Sequence, residues 1–316
     1  MKKWIISLFV ILVLCGLRFA DPWFLDMVRL KAMDQHQRNQ ESLTLSNLVT
    51  IEINNQTIRK MGQWPWDRNK VSVELIKLYQ AGAAIVVVPI LFADPDRFGK
   101  DAVLARTLKR TPTVIGQIPS NGVVRRMPLV VAVGGKLYPS ISMEILRMAA
   151  GDISFQMKTG IAGVEKLRIP KYKMIDTDAN GNIWLDFKWK TPVYALHEKL
   201  PDLTGKIVIL SMTASGLESP VATPVGVIQS HDLIGASLAT MMTGRNITRP
   251  FWTDLAELAV SGVGALILAS VVLTLAWYFG AVLLPIFLVG SFYGSSYLFT
   301  EYSYLVDWSY PVLTMF

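Results

Sequence analysis

Two long apolar runs constrain this chain more than any other feature: Trp4 to Leu17 near the start and Leu255 to Tyr304 near the end. Such runs suit lipid, because a helix of about 20 residues, rising 1.5 Å per residue, covers a hydrocarbon core about 30 Å thick. Leu255 to Tyr278 is long enough to cross with some tilt, with Glu257 at its outer end. Ala281 to Phe299 follows after Gly280, close enough that only a tight hairpin joins the two, and it carries no formal charge. Leu305 to Phe316 would reach only about 18 Å as a helix and reads as an incomplete third span. A hydrophobic content of 52%, with only 17% charged residues, agrees with part of the chain lying in lipid.

At the start, Met1-Lys2-Lys3 followed by the first apolar run has the pattern of a signal peptide or a signal anchor. A cut after Ala20 would put Arg18 where a small residue is required, so residues 1–20 read as an uncleaved transmembrane anchor. Leu12 to Cys15 makes a poor lipidation box, since Leu14 is too large for its position. Lys2 and Lys3 stay cytoplasmic under the positive-inside rule, which sends residue 21 onward to the far side of the membrane. Residues 251–316 hold Asp254, Glu257, Glu301 and Asp307 and no Lys or Arg, so they add nothing to that assignment. Small residues at Gly262, Ala265 and Ala269, and at Gly290 and Gly294, suit close helix packing within or between protomers, which leaves a homodimer open.

Residues 21–250 form the soluble part, with 28 basic against 20 acidic side chains. Its charge fits solubility and attraction to anionic lipid heads; no basic stripe with interleaved aromatics points to nucleic acid. The only cysteine, Cys15, lies in the anchor, so this part rests on its hydrophobic core. Periodicity alternates between strand and helix, the sign of an α/β layer structure: a mixed, largely parallel sheet flanked by helices. Leu48 to Ile53 reads as a strand ended by Asn54-Asn55, Asp67 caps a helix with Val71, Leu75 and Leu78 on one face, and Ala84 to Ile90 reads as a buried strand. A short helix through Leu104 and the strand Thr113 to Ile118 complete a β-α-β-α-β run. Leu129 to Val133 is a strand, and Ser140 caps the next helix. Asp152 to Tyr172 resists assignment. Asn180-Gly181 signals a hairpin between Tyr172–Ile175 and the alternating Ile183, Leu185 and Phe187. Lys206 to Ser211 is another buried strand, and a final helix over 231–243 ends at Gly244 and leads to Trp252, an interfacial anchor.

Few residues point to chemistry. Asp176-Thr177-Asp178-Ala179-Asn180-Gly181 matches the opening of a calcium loop, but position twelve is Phe187 and no helices flank it, so a hairpin with a polar turn is the better reading. His36, His197 and His231 are isolated, and no HExxH or cysteine cluster exists. No nucleophile elbow surrounds Gly216, so no catalytic constellation and no cofactor are expected. Thr213, Ser215 and Glu218 follow a buried strand, where hydroxyls and backbone amides can bind an anion in a crevice beyond the strand ends. The aromatic run Trp64-Pro65-Trp66-Asp67-Arg68 reads as a rigid loop packing two indoles, with a ligand platform as the sharper alternative.

Taken together, these residues resemble the second type of CHASE domain, an extracellular sensory module. Carrying the resemblance are Asp26 to Leu30 with Asp34, Val49 to Ile53, Gly62 to Arg68, Leu91 to Arg97, Asp101 with Leu104-Ala105, and Tyr138-Pro139-Ser140. Gly205 to Leu210, Thr213 to Leu217, Thr223-Pro224 and Gly226-Val227 complete it. The resemblance implies an extracytoplasmic sensor in a bacterial cytoplasmic membrane, followed by about three membrane helices and a cytoplasmic adenylate or guanylate cyclase or a kinase. Candidate ligand-binding residues are then Trp64, Trp66, Arg68, Asp94, Asp96, Thr213, Ser215 and Glu218. This chain departs from the usual Asp at Asn54, Pro89 and Glu218, and from the usual His at Gln229, and no family ligand carries over. The expected partners are the lipid bilayer, a cytoplasmic effector and an unknown outer ligand or protein; the alternative is a non-catalytic scaffold holding a periplasmic protein.

Overall fold

A computed structural model describes all residues except Met1, Asp21, Leu91, Ala93, 117–121, Ala162, Glu218, Ala276 and Phe316, with Lys2, Phe19 and Trp277 described in backbone only. It divides into two units, one made of Met1–Gln40 with Ile247–Phe316, the other of Glu41–Asn246. The first unit therefore takes residues 21–40, expected in the soluble part. They hold a helix that the sequence reading did not foresee, α2 (Trp23–Arg38), which follows α1 (Lys2–Ala20).

The Glu41–Asn246 unit begins with β1 (Leu43–Thr44) and β2 (Leu48–Ile53), then α3 (Asn55–Met61), α4 (Arg68–Gln80), β3 (Ile85–Val88), α5 (Asp101–Arg110) and β4 (Thr113–Ile115). Next come β5 (Arg126–Pro128), β6 (Val130–Val133), β7 (Lys136–Pro139), α6 (Ile141–Ala149), β8 (Gln156–Gly160), β9 (Gly163–Arg168), β10 (Met174–Asp176) and β11 (Asn182–Trp184). The unit closes with β12 (Trp189–Lys190), β13 (Val193–Ala195), β14 (Ile207–Met212), β15 (Pro220–Thr223), β16 (Gly226–Gln229) and α7 (Ser230–Thr243).

Its centre is a five-stranded sheet in the order β13-β2-β14-β3-β4, every pair parallel. Strands β3 and β14 are buried on both faces, which explains their unbroken apolar runs. Alternate residues feed two cores. Val49, Ile51 and Ile53 of β2 join Val71, Leu75 and Leu78 of α4 and Leu104 of α5. Leu48 of β2 and Ile207 and Ile209 of β14 join Met143 and Ile145 of α6 and Leu233 and Leu238 of α7. Burying one such Leu or Ile contributes about 1.5–3 kcal/mol. Asp67 caps α4 by accepting from Lys70 N at 2.9 Å, and Ser140 caps α6. At Gly82, φ is +100° and a Cβ would meet Thr204 backbone at 2.8 Å, so only glycine lets the turn from α4 into β3 close there.

Three local expectations change. Asn54 does not simply end β2; its side chain accepts from Thr57 N at 2.9 Å and starts α3. The Asn180-Gly181 turn forms, with Gly181 N donating to Asp178 O at 2.9 Å, but its arms do not pair as a hairpin. Strand β10 pairs with β9, and β11 pairs with β5, because each arm buries its apolar residue against a different neighbour. The unassigned stretch 152–172 contains the antiparallel pair β8–β9.

In the other unit, α8 (Trp252–Thr274) and α9 (Trp277–Tyr302) are long and apolar enough to cross a membrane. Lys3–Arg18 and Trp23–Arg38 meet that standard only as a pair, across a 79° bend. Gly280, expected as the hairpin turn, lies inside α9, where a Cβ would overlap the Val272 side chain; its smallness lets the two helices approach. Of the stretch 305–316, α10 (Ser309–Leu313) is the only helix among the described residues. Arg18 donates to Asp254 at 2.8 Å and to Glu257 at 2.7 Å, and Arg249 reaches the same two carboxylates at 2.6 and 2.8 Å. Glu257 also accepts from Asp307 N at 2.7 Å. A charge at the end of an apolar helix persists only when paired, and this network supplies the pairing.

Candidate functional site

Because all five strands of the central sheet run in parallel, their carboxyl ends share one edge, the usual place for a ligand crevice in an open α/β sheet. Two loops meet there. After β2, Asn55 donates from Nδ2 to Ser215 Oγ at 2.9 Å and accepts from Ser215 N at 3.0 Å. After β14, Thr213 N and Ala214 N both donate to Ile53 O, at 3.1 and 3.2 Å. Thr57 Oγ1 lies 2.8 Å from His197 Nδ1, which brings the loop after β13 to the same edge.

On the α7 side, polar residues interrupt the apolar strands. Glu52 of β2 stands opposite Ser211 of β14 and Ala195 of β13. Burial raises the Glu52 carboxyl's affinity for a proton; the polar Thr213 hydroxyl beside it opposes this, and the nearby Asp232 carboxylate adds to it. Ser211 is fully buried, and its hydroxyl has no hydrogen-bond partner. His231, in the first turn of α7, is buried with Nε2 3.6 Å from Asp232 Oδ1, and burial lowers its affinity for a proton. Gln229 and Asp232 close a reciprocal cap over the start of α7. The edge therefore presents a carboxyl biased toward its neutral form, hydroxyls and amides, groups that suit hydrogen bonding to a small polar molecule.

The CHASE2 domain model matches residues 9–276. This chain belongs to the CHASE2 family. No curated protein and no solved structure matches it. CHASE2 is an extracytoplasmic sensory domain, and here the matched region is followed by the apolar helix α9.

Within this CHASE2 domain the eight residues singled out from sequence separate into two groups. Thr213 and Ser215 lie in the loop after β14 at the sheet's carboxyl edge; Glu218 falls outside the described residues. On the α4 side, Trp66 is a core residue, packed with Ile53, Val88 and Leu210 and donating from Nε1 to Gly62 O at 2.8 Å. Trp64 meets it edge-on at 5.5 Å, the packing arrangement expected of the two indoles. Arg68 donates to Asp101 Oδ1 at 3.2 Å and to Asp94 O at 2.7 Å, with its guanidinium 4.5 Å from the Phe92 ring centre. Asp94 contributes a carbonyl there, while Asp96 accepts from Lys100 N at 2.9 Å. The bonds of Arg68, Asp94, Asp96 and Asp101 hold the loop before α5 in place.

Glu52, Asn55, Thr57, Ser211 and Asp232 were not singled out from sequence, and His197 and His231 were read as isolated. A usable signal existed in Glu52 and Ser211, polar residues inside otherwise apolar strands. The calcium alternative finds its oxygens engaged: Asp178 Oδ1 accepts from Asn180 N and Asn182 N at 3.0 and 2.8 Å, and Asp176 pairs with Lys166 at 2.8 Å. Among the described residues no group of three or more His, Cys, Asp or Glu is placed to hold a metal.

Proposed function

We propose that this protein senses a stimulus at the sheet-edge crevice on the outer side of a bacterial cytoplasmic membrane and relays it through its membrane helices to a cytoplasmic cyclase or kinase. The observation that carries this reading is the course of α7. Its 14 residues, about 21 Å of helix, run from the crevice, where His231 and Asp232 lie, to Gly244, two residues before the chain leaves the domain at Asn246.

At that far end, α7 is tied to the place where the chain enters the domain. Asp186 N donates to Thr240 Oγ1 at 3.0 Å, and Asp186 Oδ2 lies 3.6 Å from Arg245 Nε and 3.7 Å from Lys188 Nζ. The same segment continues into β12, which pairs in parallel with β1, and Lys188 O accepts from Leu43 N at 2.8 Å. One short segment, 186–190, thus links the incoming and outgoing connections to the membrane unit. A ligand that binds two positions of α7 differently would shift both at once.

The test is the effector's output in intact cells carrying Glu52→Ala with Asn55→Ala. The expected result is loss of the stimulus-dependent change in cyclic-nucleotide or phosphoryl output. Output that follows the wild type under every stimulus would refute the reading.

A further inference from the structure

At the start of α7, His231 and Asp232 stand beside the strand ends. His231 is 4% exposed, and its Nε2 lies 3.6 Å from Asp232 Oδ1, too far for a hydrogen bond. Asp232 Oδ2 accepts from Gln229 N at 3.3 Å, which closes the cap. Glu52 of β2 lies near enough to feel the Asp232 charge. The same turn is tied to the loop after β14: Ser219 N donates to Gln229 Oε1 at 3.3 Å, and Ser230 N donates to Ser219 O at 2.9 Å. A displacement of the turn is therefore passed to the loop that carries Ser215 and, through it, to Asn55.

A neutral imidazole suits this position, and a charged one does not. Burial removes the water that would solvate an imidazolium, and the ring sits at the positive end of the helix dipole. The other elements packed on α7 offer no relief. Strands β14, β15 and β16 carry no charged side chain, Glu144 and Arg147 of α6 pair with each other at 2.5 Å, and Lys190 of β12 is exposed. Asp186, Lys188 and Arg245 gather by Thr240, about 13 Å farther along the helix. Among the described residues Asp232 favours the charged ring, but burial outweighs it and holds the proton affinity of His231 below the ordinary one. A histidine in water takes its proton near pH 6.5, about where a mildly acidic medium begins.

We propose that mild acid on the outer side is a stimulus for this protein, and that protonation of His231 lifts the first turn of α7 from the strand ends so that the ring reaches water. The proposal rests on the sensing role given to α7 above. A proton that binds the lifted state more tightly than the packed one draws the protein toward it. With the lifted ring titrating at about 6.5 and the packed ring staying neutral, the lifted population grows by at most about tenfold between pH 7.5 and 5.5. Glu52 acts in the opposite sense. Its carboxyl holds a proton better while Asp232 is near, so its protonation favours the packed turn, and Glu52→Gln removes that opposition.

The experiment follows amide hydrogen exchange of residues 230–235 by mass spectrometry in the full chain, held in lipid nanodiscs, from pH 7.5 to 5.5 and corrected for the intrinsic rate. Wild type is expected to open about five- to tenfold more at pH 5.5 than at 7.5, while residues 207–212 of β14 keep their protection. His231→Gln should open equally at both values, and Glu52→Gln should open at least as much as wild type on acidification. The proposal is overturned if wild-type protection is unchanged or grows toward pH 5.5, if β14 opens equally, which is global unfolding, or if His231→Gln opens as wild type does. Wild type alone decides where the variant does not fold. Each of these results leaves the sensing reading standing while Glu52→Ala with Asn55→Ala still removes the stimulus-dependent output; if that output survives in the double variant, it is the reading that fails.

Discussion

Replacing Asp186 with Asn tests whether the 186–190 segment holds the two connections of the outer domain together. The Asp186 carboxylate is almost fully buried, and burial raises its affinity for a proton while Lys188 and Arg245 oppose that shift. At 3.6 and 3.7 Å and an effective dielectric of about 20, each cation attracts it by about 4–5 kcal/mol. Desolvation of the buried ions offsets most of this, at several kcal/mol each. An amide removes the attraction and leaves Lys188, whose side chain is 7% exposed, desolvated beside Arg245. Stranding one partner of a buried pair costs about 3–5 kcal/mol. Lys188 can relieve part of that by losing its proton, which burial already favours, so the expected loss is about 3 kcal/mol. For a unit of this size the midpoint of thermal unfolding should fall by about 6–12 °C. Asp186→Asn with Lys188→Met removes the stranded cation and should recover at least half of the loss. Tryptophan fluorescence of the full chain in detergent, followed through heating, reads both variants. A single variant within about 1 kcal/mol of wild type, or a double variant no better than the single, would show that these charges do not hold the segment.

Two further outcomes follow from the same geometry. Arg68→Met should destabilise the outer domain by about 2–3 kcal/mol, from two lost hydrogen bonds and a lost cation–π contact. Unchanged unfolding would mean that the loop before α5 is held by something else and would return Arg68 to the ligand candidates. His231 carries a pH dependence of known sign: burial holds its folded proton affinity below the usual 6.5, with Asp232 pulling the other way. Above pH 6.5 neither state takes the proton, and below it the unfolded chain binds it first, so stability is lost as pH falls through 6.5. Unfolding compared at pH 7.5 and 5.5 should show this loss, and His231→Gln should flatten it; an equal loss in that variant would assign the effect to other groups.

Much of the architecture follows from properties that a short window of residues carries by itself. Apolar length marks α8 and α9, apolar runs mark the buried strands β3 and β14, and Asp67 and Ser140 announce the helices they cap. Each depends on neighbours within about one turn or one strand. Asn54 shows the limit, because an Asn after a strand ends it or caps a helix equally well, and only the position of Thr57 N decides.

Pairings between distant residues were out of reach. The two arms of the Asn180-Gly181 turn carry good alternation, but which strand each one joins depends on apolar surfaces contributed by β5 and β9. Glu52 and Asp232 lie far apart in sequence, and Arg18 is 239 residues from Glu257. Sequence alone therefore determined a chain with apolar helical ends, a parallel α/β centre and membership in a sensory family. The tertiary structure showed that Trp66 sits in the core and Arg68 bonds the loop before α5, that a carboxyl and hydroxyls gather at the strand ends, and that α7 runs from that edge toward the domain's exit. The physical reason is that hydrophobic length and capping are local quantities, whereas a crevice exists only where the sheet aligns strand ends from separate parts of the chain.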